Sequence, residues 1–180
     1  MSIRLGNQII ASTNSDINLD EKDILVDDIT IVKDENEIIT ATGIKSVNGN
    51  YVFERIFAGC TNIKSIEFPK LAKIEAYYGM NYAFEGCNSL QAINFDALET
   101  ISGDYCFEYA FRYCSGLESI SFPSLTIINS NNSFNYMFKD CSSLKEIHFR
   151  ADMETRVKSL EQYNTIWGLG AGKAQIVFDL

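Results

Sequence analysis

Four tetrads that open on Phe and close on Cys limit what this chain can become. They are Phe57-Ala58-Gly59-Cys60, Phe84-Glu85-Gly86-Cys87, Phe111-Arg112-Tyr113-Cys114 and Phe138-Lys139-Asp140-Cys141, each 27 residues after the last. A fixed period of that length is the signature of a repeat architecture, in which one short unit recurs and only the stack folds. The register extends on both sides of the tetrad. Downstream run the columns Ile63, Leu90, Leu117, Leu144, then Ile66, Ile93, Ile120, Ile147, then Phe68, Phe95, Phe122, Phe149. Three units carry it on through Leu71, Leu98, Leu125 and Ile74, Ile101, Ile128, and upstream Met80, Phe107, Phe134 and Tyr82, Tyr109, Tyr136 align as well.

Within each unit the Ile-x-Phe step, as in Ile66-Glu67-Phe68, alternates apolar and polar residues, the period of a strand with one buried side. Stacked units pair such strands in parallel at roughly 4.8 Å, and every apolar column becomes a ladder of like residues inside one continuous core. No single unit buries its own apolar side, so the stack is the folding unit. Pro69 and Pro123 follow their strands directly, where a fixed φ turns the chain and a missing N–H does little harm.

The pattern C-x-x-L-x-x-I-x-F-P, followed by L-x-x-I and then A-F-x-x-C (Ala83-Phe84 to Cys87, Ala110-Phe111 to Cys114), resembles the BspA-like leucine-rich-repeat family of bacterial and protozoan surface proteins, over residues 39–149. Units of that family usually run a few residues shorter, and this chain departs by extra residues ahead of the Ala-Phe pair, as in Glu75 to Tyr82. The resemblance implies a leucine-rich-repeat solenoid: a β-rich, right-handed superhelix with a parallel β-ladder. It implies action by adhesion or recognition, a place at the cell surface, and no catalytic residues or cofactor to carry over.

Three segments are expected: an acidic leader with cap strands over 1–38, the solenoid over 39–149, and a C-terminal cap over 150–180. Ile39, Ala41, Ile44 and Val47 fall one unit before Ile66, Phe68, Leu71 and Ile74 and read as a degenerate first turn. Ahead of them Ile24-Leu25-Val26 and Ile29-Thr30-Ile31-Val32 are strand-like, and Asp34-Glu35-Asn36-Glu37 reads as a loop. Ile3 and Leu5, then Gly6-Asn7 before Ile9-Ile10, predict a small hairpin. This opening resembles the short leaders of phage tail-associated proteins from Gram-positive hosts. At the other end Met153, Val157 and Leu160 recur at helical spacing behind Asp152, a candidate N-cap, which predicts a short helix of three turns. Trp167 and a glycine series lead from it to Ile176-Val177-Phe178, a final strand suited to pair with that of Ile147.

Charge and composition exclude several functions. The net charge of -9 disfavours nucleic acid, which demands an excess of Lys and Arg. Residues 1–50 hold nine acidic and four basic residues, a net of -5, read as a solvated cap that discourages end-to-end stacking or as a dock for a basic partner. No apolar run approaches the roughly 18 residues of a membrane span, so no membrane insertion is expected. Met1 to Ala11 lacks the basic flank and long apolar stretch of a signal peptide, and the compartment stays open, a virion included.

Candidate chemistry is sparse. Cys60, Cys87, Cys114 and Cys141 form a line rather than a convergent metal site and read as reduced, buried spacers. Cys106 lies outside that column and is the first candidate for a reactive thiol, although an inert role is the favoured reading. His148 is the only histidine, in the outward column Glu67, Asn94, Ser121, His148, and reads as solvent-exposed; an enzyme is not expected. Gly168 to Lys173 superficially looks like a phosphate-cradling loop, but its third glycine is misplaced and Ala174 follows the lysine. What remains is surface. Tyr77 and Tyr78, Asp104 and Tyr105, and Asn131 and Asn132 in the extra segments mix rings with polar groups suited to recognition of a protein or glycan, or include rings that simply cover the side of the solenoid. The expected function is a non-catalytic, adhesin-like binding module. The alternative is a structural or receptor-binding component of a phage particle.

Overall fold

The computed structural model describes residues 2–5, 8–12, 24–26, 31–33, 38–41, 44–51, 53–61, 63–160, 167 and 174–179, with side chains from residue 45 onward. β1 (Ser2–Leu5) and β2 (Gln8–Ser12) pair antiparallel as a hairpin. β3 (Ile24–Val26), β4 (Ile31–Lys33), β5 (Ile38–Ala41) and β6 (Ile44–Val47) begin two larger sheets. Each coil then adds one strand to each sheet. One sheet receives β7 (Ser65–Glu67), β9 (Ala92–Asn94), β11 (Ser119–Phe122) and β13 (Glu146–Phe149). The other receives β8 (Lys73–Ile74), β10 (Thr100–Ile101) and β12 (Ile127–Ile128). β14 (Gln175–Phe178) closes the first of these at seven strands, while the second has five.

Register follows the repeat. Ile39 pairs with Ile66 and Ile66 with Ile93, Ile120 with Ile147, and Ile147 with Ile176, all parallel. In the smaller sheet Val47, Ile74, Ile101 and Ile128 line up in the same way. The leader strands reverse this sense: β3 joins β6, and β4 joins β5, antiparallel. The two sheets meet at a β-turn in each coil, closed by Leu71 N–H to Phe68 O at 3.3 Å and Leu125 N–H to Phe122 O at 3.3 Å. Pro69 and Pro123 occupy the second position of that turn, where a φ near -65° is required anyway.

The interior is a set of ring ladders. Phe57, Phe84, Phe111 and Phe138 stack at 5.4, 5.0 and 5.8 Å between centroids. Phe68, Phe95, Phe122 and Phe149 stack at 5.6, 5.7 and 5.2 Å from the opposite wall. All eight are buried. Met153, Val157 and Leu160 are buried too, and Trp167 closes the C-terminal end by packing on Phe134 at 4.7 Å while its carbonyl accepts from Phe138 N–H at 2.9 Å.

The C-terminal helix differs from expectation. α1 (Glu154–Ser159) is preceded by one 3-10 turn at Ala151–Met153, and Asp152 caps neither. Asp152 falls inside the 3-10 turn, whose N-cap is Arg150, and its carboxylate pairs with that residue, at 2.9 Å from Nε and 2.7 Å from Nη2. The acidic stretch 34–37 and the glycine series 168–173 lie outside the described residues.

Candidate functional site

The extra residues of each unit do not project as loops. They build the third wall of the coil from interlocked turns, and one coil accounts for the whole of it. Gly79, Asn81, Ala83, Glu85 and Cys87 each donate to the carbonyl three residues back, at 3.1–3.2 Å. The alternate residues Tyr78, Met80, Tyr82, Phe84 and Gly86 donate instead to the next coil, at Asp104, Cys106, Glu108, Ala110 and Arg112, over 2.7–3.1 Å. Every backbone N–H from Tyr78 to Cys87 is thereby satisfied, as an enclosed wall demands.

This ribbon needs a left-handed residue at every fourth position. Tyr51, Arg55 and Gly59 hold those positions in one coil, Tyr78, Tyr82 and Gly86 in the next, Tyr105, Tyr109 and Tyr113 in the third, and Tyr136 with Asp140 in the fourth. A side chain at positive φ costs about 1 kcal/mol, which is why glycine is the usual occupant. Seven of the nine non-glycine residues at positive φ, among the described residues, are nonetheless tyrosines.

Stacking offsets the cost. Tyr51, Tyr78 and Tyr105 form one ladder at 5.2 and 5.3 Å, and Tyr77 meets the Tyr78 ring edge-on at 4.3 Å. Tyr82, Tyr109 and Tyr136 form a second ladder at 4.8 and 5.0 Å. Arg55, the residue of that column one coil earlier, lays its guanidinium over the Tyr82 ring at 4.4 Å. Contacts of these kinds are worth about 0.5–1.5 kcal/mol each beyond area burial, enough to balance the backbone term. The hydrogen bond with Tyr77 holds the Tyr78 phenol well above the ordinary range, and loss of water raises that of Tyr82.

Polar groups run beside the ladders. Glu85 bridges Arg55 at 2.8 Å and Arg112 at 3.4 Å. Asn81 Nδ2 donates to Glu108 at 3.1 Å, and partial burial raises the Glu108 carboxyl above its usual range. Arg112 donates from Nη2 to Tyr113 Oη at 2.6 Å, lies 4.3 Å from the Tyr113 centroid and 5.5 Å from that of Tyr109, and leaves its buried Nε without an acceptor.

Of the residues singled out from sequence, Tyr77, Tyr78 and Tyr105 are brought into one cluster. Asp104 is occupied by the Ser130 hydroxyl. Asn131 accepts from Arg156 of α1 at 3.2 and 3.3 Å, and the Asn132 backbone donates to Ser130 Oγ at 3.1 Å. These polar side chains tie coils and cap together. Glu67, Asn94, Ser121 and His148 do pair in register, on the seven-stranded sheet rather than the turn wall. Beside them Glu67, Phe68, Pro69, Asn94 and Asp96 line a hollow of about 100 Å³, well below the roughly 300 Å³ of a small-molecule pocket.

One expectation is corrected. His148 is half-buried instead of solvent-exposed: Nδ1 lies 3.1 Å from Asp179 and Nε2 3.2 Å from Glu146, and both bonds raise its pKa, Asp179 most. Cys106 is fully buried, and loss of water pushes its thiol up to about 12, which favours the inert reading of this residue over the reactive one. The column cysteines are buried and reduced, but they are more than spacers. Cys87, Cys114 and Cys141 donate S–H to the carbonyls of Phe57, Phe84 and Phe111 in the preceding coil at 3.1, 3.0 and 2.9 Å.

Sequence reasoning noticed the Tyr82 column as repeat register and missed it as surface, along with Tyr51, Arg55, Arg112, Tyr113 and Tyr136. The signal was there in two forms: Tyr105, Tyr109 and Tyr113 recur every fourth residue, a spacing that taken alone also suits one face of a helix, and Gly59 and Gly86 share a column with Asp140. No helix among the described residues is long and apolar enough to cross a membrane. Residues 36–163 match the family model for the BspA type leucine rich repeat region, in six copies. No curated protein and no solved structure matches the chain.

Proposed function

The chain belongs to the BspA-type leucine-rich-repeat family, and from that premise we propose that it is a non-catalytic, adhesin-like module that binds a protein or glycan through the turn wall of its solenoid. Proteins built from such repeats often mediate interactions and are typically surface-associated. The observation that carries the reading is the pair of tyrosine ladders. Tyr51, Tyr77, Tyr113 and Tyr136 remain between 39% and 49% exposed while their rings are fixed by neighbours. Rigid aromatic area with a hydroxyl at its rim is what recognition surfaces use, because little conformational entropy is lost on contact. The sheet wall offers less: its outward row is small or polar, and its hollow holds only about 100 Å³.

The test is a glycan array run beside a panel of purified extracellular-matrix and cell-surface proteins, using the full chain and a Tyr77→Ala/Tyr136→Ala variant. Binding that the double variant loses supports the proposal. Binding that it keeps moves the site off the turn wall, and no binding on either panel overturns the module as a recognition device.

A further inference from the structure

One tyrosine has no ladder to hold it. Tyr113 sits at φ 62° in the column Gly59, Gly86, Tyr113, Asp140, whose other members are the residue types that tolerate this backbone. A Cβ built on Gly59 would meet nothing within 4 Å, and one on Gly86 only the Gly59 backbone, at 3.9 Å, so the column asks for no side chain to fill it. Tyr113 is 44% exposed, and its contact with the rest of the wall is Arg112, which stacks on the ring and donates to its hydroxyl. Tyr82, Tyr109 and Tyr136 earn their conformations by stacking on one another; Tyr113 does not. Its positive φ is offset by Arg112 alone, where the other tyrosine columns are held by rings of neighbouring coils, and a strained residue so lightly built into the fold points to a use outside it.

We propose that Tyr113, held by Arg112, is the anchor of the turn-wall surface and that it takes an acidic segment of a protein partner. This rests on the binding role given above and narrows it. Two features select a protein over a sugar. The Tyr109 ring is stacked on both faces, Tyr82 lies between Tyr109 and the Arg55 guanidinium, and Tyr136 has Tyr109 on one face and the Lys139 ammonium 5.9 Å from its centroid, so a pyranose finds little open ring beside the anchor. Arg and Tyr together are also the residues most enriched at the centres of protein interfaces. The charge selects an acidic segment. Arg112 has donors to spare, since its bond to Glu85 is long at 3.4 Å, and Lys139, 5.9 Å from the Tyr136 centroid, forms no ion pair among the described residues. Asp140 is the one carboxylate in the anchor's own column, and Glu85 is shared between Arg55 and Arg112.

The experiment pans a random-peptide display library on the full chain and measures one selected peptide against the parent and against Tyr113→Gly. A glycan array is run in parallel. The proposal expects peptides enriched in Asp and Glu, weakened by added salt, and bound about tenfold or more weakly by Tyr113→Gly, whose thermal midpoint stays at or above the parent's because glycine suits the backbone. Equal affinity for the variant overturns the anchor, as does lost binding that tracks a falling midpoint. Glycan binding that requires Tyr113 overturns the choice of partner. Silence of both libraries against the parent chain refutes the binding role itself, and it is distinct because it shows before any variant is made.

Discussion

The sheet walls and the turn wall bury equally good ladders by opposite means. In the seven-stranded sheet the backbone is ordinary, side chains alternate inward and outward, and Ile120 and Phe122 are placed by strand geometry alone. On the turn wall the chain repeats every four residues through left-handed positions, and tyrosine stacking holds what the backbone disfavours. The first wall is stable because each residue suits its place; the second because each residue's neighbour in the next coil makes an awkward place tolerable.

The sharpest way to break this comparison is to cut one interior ring from each wall. Phe111 belongs to the turn wall and Phe122 to the sheet, and both are fully buried between stacked partners. Phe111→Ala and Phe122→Ala should each lose about 3–5 kcal/mol in chemical denaturation. A loss below about 1 kcal/mol at either would mean that its wall is not part of a shared interior.

A smaller effect tests the balance of strain against stacking. Tyr109 lies between Tyr82 and Tyr136 at φ 54°. Tyr109→Ala loses both stacks and keeps a Cβ at positive φ, so about 2–3 kcal/mol should go; Tyr109→Gly loses the same stacks but relieves the backbone and should recover about 1 kcal/mol of that. If glycine proves no better than alanine in urea melts, the left-handed positions carry no cost and the tyrosines need no repayment.

The walls also differ in how far the sequence discloses them. Strand positions such as Ile66, Glu67 and Phe68 alternate with a period that local reading detects, and the 27-residue offset fixes their register to the next coil, so the solenoid and its sheet columns were legible. Pro69 and Pro123 marked the corners for the same local reason. The turn wall hides because its spacing of four reads equally well as one face of a helix, and because Tyr at positive φ contradicts single-residue preference. Only the coil above and below makes it reasonable. Contacts across long separations were likewise out of reach: nothing near Asn131 announces Arg156, and Arg150 claims Asp152 by a side-chain bond that capping rules do not weigh. His148 was placed in the right row and given the wrong surroundings, since Asp179 is 31 residues away and arrives only when β14 docks.

That late-arriving partner yields the smallest effect and the one most specific to the sheet side. His148 is the chain's only histidine, and its pKa is raised in the fold, first by the bond to Asp179 and then by Glu146. A raised value means the folded state holds the proton more tightly than the unfolded state, whose histidine titrates near 6.5. The stabilisation is therefore complete below about pH 6.5 and is lost as pH rises through the folded value. Asp179 follows β14 while Glu146 and His148 are on β13, so the loss should loosen the final strand before the coils behind it. Amide exchange at Ile176 to Phe178 should quicken as pH rises through that window, beyond its intrinsic base catalysis, and His148→Gln should remove the excess. The histidine ring signal, unassisted by any assignment in a chain with one histidine, should titrate above 6.5; a midpoint at or below that value would detach the proton from the docking of the cap.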